Sequence, residues 1–234
     1  MPPTNLTSSA KDYQIHDPAL TDLGFGPQCQ ELAKFLQDEV PLAQEIGLIV
    51  ISPMRRTLQT AQQALGWLME RGVPVVLRAE WQENSDKPCD TGTDVETMKK
   101  EWPQFDWSTV DPVYPSKTGL YGFSNFQLKA RGIAARAWLM KRPEKVIAVV
   151  SHSGFLRVGV SYRKYENADF RVFDFAEGEE ENGGRLVERM FTEARGGGLG
   201  KSPKGVFDEG DSRPATEGEV TEESPIVGDE NGKV

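Results

Sequence analysis

Histidine and cysteine are both scarce, with two of each in 234 residues. Two histidines are too few for a His-rich metal site, and they place any histidine chemistry on His16 or His152. Cys29 and Cys89 stand in a long chain without a secretion signal, where two thiols read as free rather than as a disulfide framework. Long apolar runs are missing too. None approaches the ~20 residues of a membrane span, and Met1–Thr7 has neither the basic nor the apolar segment of a signal peptide. The expected setting is cytoplasmic and away from membranes, with the Asn5-Leu6-Thr7 sequon unused. Bases are outnumbered, 27 Lys and Arg against 36 Asp and Glu, for a net charge of −9. A nucleic-acid partner, which needs a basic footprint, is not expected. What is present suffices for a core. At 38% hydrophobic the chain is neither wholly disordered nor fibrous, and its length suits one large domain or two small ones.

The charge is unevenly spread. Residues 201–234 carry nine acids against four bases, net −5, which leaves −4 for all that precedes them. That stretch is rich in Gly, Pro, Glu and Ser and poor in large apolar side chains, so it cannot bury enough surface to offset the entropy of ordering. The expected organisation is an α/β domain over residues 1–195 followed by an acidic disordered tail over 196–234.

Strand and helix patterns alternate through the domain. Gly47–Ser52 and Val146–Ser151 are continuous apolar runs, the pattern of strands buried on both faces of a parallel sheet, and Pro74–Arg78 is a shorter third. Helical stretches cover Gln28–Glu39, Arg56–Glu70 and Asn125–Lys141, the last with apolar Phe126, Ile133, Ala134, Ala137 and Trp138. Phe170–Phe175 alternates as a strand does, with Arg185–Phe191 as its hairpin partner. The expected fold is a three-layer α/β sandwich, a mostly parallel central sheet with helices on both faces.

In such sheets ligands gather at the carboxyl ends of the strands. Ser52-Pro53-Met54-Arg55-Arg56 follows the first strand and opens a helix. A guanidinium fork beside a helix N-terminus suits a phosphate or carboxylate, and because cations there oppose the helix dipole, a bound anion is expected to compensate them. His152 follows the Val146 strand and precedes Ser153-Gly154, which puts its ring at the same edge. Trp81–Asp94 is carboxylate-rich; on its residues alone it is a solvated loop, with Thr93 or Asp94 capping a short helix through Lys100, and it lacks the regular Asp spacing of an EF-hand. Trp107, Tyr114, Tyr121 and Phe123 either cover the pocket or pack inside.

Ser52-Pro-Met-Arg-Arg-Thr-Leu-Gln-Thr-Ala61, Val149-Val-Ser-His-Ser-Gly-Phe-Leu156 and Asp17-Pro-Ala-Leu-Thr-Asp-Leu-Gly24 together resemble the histidine phosphatase superfamily, the phosphoglycerate mutase-like proteins. Gln82-Glu-Asn-Ser with Pro88–Asp94, and Phe173-Asp-Phe with Leu186-Val-Glu-Arg, resemble its fungal branch. The resemblance implies phosphomonoester hydrolysis without a cofactor or metal. One histidine attacks phosphorus and becomes phosphohistidine, arginines and a second histidine hold the phosphoryl oxygens, and a carboxylic acid protonates the leaving oxygen. By position in the motifs, Arg56 is implied as a phosphate-binding arginine, with Arg55 peripheral. His152 is implied as the second, phosphate-holding histidine, and Glu83 as the proton donor. The implied partner is a small phosphorylated molecule. The family's first strand and the Arg-His-Gly or Arg-His-Ala that ends it have no counterpart here, as if roughly a dozen residues were missing between Thr4 and Asn5. Asn5 is implied as a remaining phosphate-side residue. His16, in a polar loop, reads as a surface histidine rather than a replacement nucleophile. The chain as written is therefore expected to be inactive, or to act as a pseudo-phosphatase that binds a phosphorylated or anionic ligand.

Overall fold

The computed structural model describes residues 13–206. Asn5 and residues 207–234 of the expected tail lie outside the described residues.

Three parallel strands form the sheet: β1 (Ile46–Ile51), β2 (Val75–Leu77) and β3 (Val146–Val150), in the order β2-β1-β3. Ile49 is opposite Val75 on one side and Ala148 on the other, and Ile51 is opposite Leu77 and Val150. The central position of β1 explains its apolar run, because a strand flanked by neighbours and covered on both faces has no polar side to show. Its alternation divides the core in two. Ile49 and Ile51 meet Leu32, Leu36, Leu58, Ala61 and Leu68 from helices α1 (Cys29–Glu39) and α2 (Arg55–Glu70), while Leu48 and Val50 pack with Trp81, Leu128, Ala135 and Phe155 on the opposite face. Each buried Leu or Ile contributes about 1.5–3 kcal/mol. The fold is the expected helix–sheet–helix sandwich. A short helix α3 (Val95–Glu101) is capped by the Asp94 carboxylate, which accepts the Thr97 N–H at 2.9 Å, and α4 (Asn125–Met140) begins with a Ser124–Gln127 capping box. Strands β4 (Phe173–Phe175) and β5 (Leu186–Glu188) pair antiparallel as a separate hairpin. Among the described residues no helix is long and apolar enough to cross a membrane.

Three expectations are revised. β3 is half-buried along its whole length rather than buried on both faces, because among the described residues no strand pairs with its outer edge. The inward face of α4 is Leu128, Arg131, Gly132, Ala135 and Arg136, not the apolar set read from the sequence, and Phe126 is 82% exposed. Two arginines face inward because they satisfy carbonyls: Arg136 donates to Gly159, Val160, Asn182 and Gly184 oxygens, and Arg131 to those of Gln82 and Glu83. Gly132 permits this packing, since a Cβ there would lie 1.7 Å from the Gly159 carbonyl oxygen. Finally, residues 196–206 belong to the folded body. The Asp169 carboxylate accepts the N–H groups of Leu199, Lys201 and Ser202, and Gly198 donates to the Phe170 carbonyl. The boundary expected at residue 196 thus falls after Pro203, whose carbonyl accepts from Arg171.

Candidate active site

The turn between β1 and α2 is held from several sides. Thr57 Oγ1 donates to the Ser52 carbonyl at 2.8 Å, and the buried Tyr114 hydroxyl donates to the Pro53 carbonyl at 3.0 Å. Asp17, 1% exposed, accepts the Arg55 N–H at 3.1 Å and the Thr93 N–H at 3.0 Å. A carboxylate at this helix terminus compensates the adjacent cations, so the compensation expected of a bound anion is already supplied by the chain. Neighbouring helix positions point about 100° apart, and the two arginines diverge accordingly. Arg55 turns outward to Glu101 at 2.6 and 2.9 Å and to Thr93 Oγ1 at 3.1 Å. Arg56 turns toward the loop after β2, donating to the Cys89 carbonyl at 2.7 Å and to Asp90 Oδ1 at 3.4 Å, with Glu83 Oε2 at 4.0 Å.

The end of β3 brings in His152, 4% exposed, whose Nε2 lies 2.9 Å from Ser52 Oγ. Ser151 Oγ donates to the Trp81 carbonyl at 2.8 Å, tying this strand end to the one that carries Glu83. Glu83 Oε1 accepts two backbone N–H groups at 2.8 Å, from Asn84 and Phe155. This approach requires Gly154, where a Cβ would sit 2.5 Å from Glu83 Oε1. Burial, with the Asp90 charge beside it, raises the proton affinity of Glu83 against the opposing pull of Arg56. Burial, then Arg56, Lys117 and Arg131, hold His152 well below the ordinary histidine range, so its imidazole is neutral at pH 7.

Lys117 and Arg131 were not singled out by the sequence. Lys117 Nζ donates to the Glu83 carbonyl at 2.9 Å, and Arg131 Nη2 donates to that same oxygen at 3.1 Å and to the Gln82 carbonyl at 3.0 Å. The two cations are therefore at most about 6 Å apart, a repulsion of roughly 3 kcal/mol at an effective dielectric of 20. Burial first, and Arg131 second, lower the Lys117 ammonium to about 7. Arg131 had a signal, an arginine spaced i+3 and i−4 from Leu128 and Ala135 on a buried helix face. Lys117 had none, because its position depends on the irregular segment between α3 and α4.

The structure thus gathers Arg56, Glu83 and His152 at one sheet edge with Asp90, Lys117 and Arg131. His16 is exposed, ahead of buried Asp17, and Asn5 lies outside the described residues. Trp107, Tyr114 and Tyr121 are buried packing groups, not a cover. Both cysteines are free; burial raises both thiols, Cys89 to about 11, which leaves it protonated at neutral pH.

Residues 5–178 match the sequence model of the histidine phosphatase superfamily, branch 1. The chain belongs to that superfamily. A protein of Schizosaccharomyces pombe named a probable phosphatase is 30% identical over 159 residues, covering 67% of this chain and 72% of its own length. A phosphoglycerate mutase-like protein of Arabidopsis thaliana is 30% identical over 179 residues, covering 63% of each chain. The chain thus spans less than two thirds of that plant protein. These relatives come from a fungus and a plant, so they mark the superfamily and not a fungal group within it. Among solved structures, a protein called mycobacterial hydrolase 2 aligns at 19% identity and a TM-score of 0.44, covering 76% of this chain and 84% of that one.

Proposed function

We propose that the residues at the carboxyl edge of the sheet bind the phosphoryl group of a small phosphomonoester, and that the residues of this chain hold the ester without completing its hydrolysis. The observation that carries this reading is the convergence of Arg56, Glu83 and neutral His152 at one edge of the sheet. Arg56 offers a planar donor fork for phosphoryl oxygens, and a neutral imidazole donates one N–H without adding a charge to bury. Glu83, biased toward its protonated form, suits donation of a proton to a leaving alkoxide. In the superfamily's reaction, a histidine nitrogen forms a bond to phosphorus as the ester oxygen departs and takes that proton; water then attacks the phosphohistidine. The attacking nitrogen is the part these residues do not supply. No Arg-His pair occurs between Met1 and Asp17, and the histidine there, His16, is exposed.

Thermal melting in inorganic phosphate or vanadate tests the binding, and para-nitrophenyl phosphate tests turnover at pH 5.5 and 7. Both anions are expected to raise the melting temperature, and Arg56→Met is expected to abolish the rise. A ligand at a hundred times its Kd adds about 2.7 kcal/mol. Release of nitrophenol is expected to stay at background. Absence of any shift would refute the binding, and a rate removed by His16→Ala would show that the chain carries its own nucleophile.

A further inference from the structure

We infer that Asp90 is the specificity-determining residue of the phosphoryl site: its carboxylate selects a phosphate ester that still carries one proton and rejects the sulfate ester of the same charge. This rests on the phosphate-binding reading above and narrows its ligand to the monoanionic form. Arg56 directs its fork at the turn Pro88–Asp90, with Nη1 donating to the Cys89 carbonyl at 2.7 Å and Nη2 to Asp90 Oδ1 at 3.4 Å. Glu83 Oε2 stands 4.0 Å from the same Nη2. A phosphoryl group held by that nitrogen therefore comes within reach of both carboxyl groups. All three side chains meet solvent, Arg56 at 21%, Asp90 at 18% and Glu83 at 13% exposure, so a ligand can approach them.

The two carboxyl groups offer opposite chemistry. Glu83, whose proton affinity is raised by burial and by the Asp90 charge, suits a donor. Asp90 offers an acceptor. Its Oδ2 is held by Ser85 Oγ at 2.6 Å, while Oδ1 receives long contacts, 3.4 Å from Arg56 and 3.5 Å from the Cys89 thiol, which leave lone-pair capacity on that oxygen. The turn beneath it is tied down as well: the Asp17 N–H donates to the Pro88 carbonyl at 3.2 Å, and the Cys89 N–H to the Tyr13 carbonyl at 3.3 Å. Asp90 is thus anchored beside a bound anion rather than free to withdraw from it. A phosphate monoester monoanion answers both groups, because its bare oxygens accept from Arg56, His152 and Glu83 while its P–O–H donates to Asp90 Oδ1. A sulfate monoester has the same single charge but no hydrogen, and sets lone pair against lone pair there. A site built around a hydrogen bond to its ligand rejects the analogue that lacks it, since its own polar group is left unpaired.

Isothermal titration of the full chain at pH 5 with phenyl phosphate and phenyl sulfate tests this, both esters being mainly singly charged there. Phenyl phosphate is expected to bind at least about tenfold more tightly. Asp90→Asn, whose amide can donate to either anion, should bring the two affinities within about threefold of each other, chiefly by strengthening the binding of the sulfate ester. Equal affinities in the unmodified chain, or a preference that survives Asp90→Asn, would overturn the role of Asp90 while leaving the phosphoryl site standing. Failure of both esters to bind would overturn the site and the role together. If Asp90→Asn does not fold, the ratio in the unmodified chain decides.

Discussion

Lys117 makes stability depend on pH in a way that a single substitution should remove. In the unfolded chain its ammonium titrates near 10.5, and in the folded protein near 7. Between those values the folded state holds fewer protons than the unfolded state, so stability rises with pH across the window and falls as pH drops toward 7. With these two values, the lysine contributes a gain of about 3 kcal/mol between pH 7 and 9.5, since the unfolded chain keeps the proton that the folded chain has released and the cost of releasing it falls by about 1.4 kcal/mol per pH unit. Lys117→Met keeps much of the side-chain volume and carries no charge. Urea denaturation of both proteins from pH 7 to 9.5 should show the unmodified chain gaining stability relative to Lys117→Met by that amount. The thiols and tyrosines that also titrate there are common to both and cancel in the difference. Parallel curves would refute the reasoning and mean that Lys117 is hydrated and charged in the folded state.

His152 acts at lower pH. Because its folded form resists protonation, the chain should lose about 1.4 kcal/mol relative to His152→Gln on going from pH 7.5 to 5.5, measured by urea denaturation, as the unfolded state takes up a proton near 6.5. Gly154→Ala should cost about 1–3 kcal/mol, because its methyl group must displace Glu83 or Asn84. Gly66→Ala in α2, where a Cβ meets nothing within 4 Å, should instead gain about 0.5–1 kcal/mol; calorimetry of the two distinguishes crowding from a general effect of losing glycine. Asp17→Ala removes two charge-assisted bonds to backbone N–H groups and should destabilise by about 3 kcal/mol, read from the denaturation midpoint.

Much of the fold was legible because the signals are local. Apolar runs marked β1 and β3, Thr93 or Asp94 marked the start of α3, with Asp94 proving to be the cap, and the Ser52–Arg56 string marked a strand-to-helix turn. The face of α4 was misread because apolar periodicity assumes that apolar side chains turn inward, whereas Arg131 and Arg136 are buried by the carbonyls they satisfy. The strand of Val146 was read as covered because its composition suits a central place, but whether a strand has neighbours on both edges is a property of the sheet.

By itself the sequence determined which residue types stand at the ends of β1 and β3, and hence that Arg56 and His152 share one edge of a parallel sheet. It also determined, through the motifs around them, the superfamily. Only the tertiary structure decided that Asp17 occupies the start of α2, that Arg55 and Arg56 part company, and that Lys117 and Arg131 meet on one carbonyl of Glu83. The difference is physical. Strand and helix periodicities are written within a few residues, whereas the charge balance of a buried site depends on groups separated by tens of residues that become neighbours only once the chain has folded.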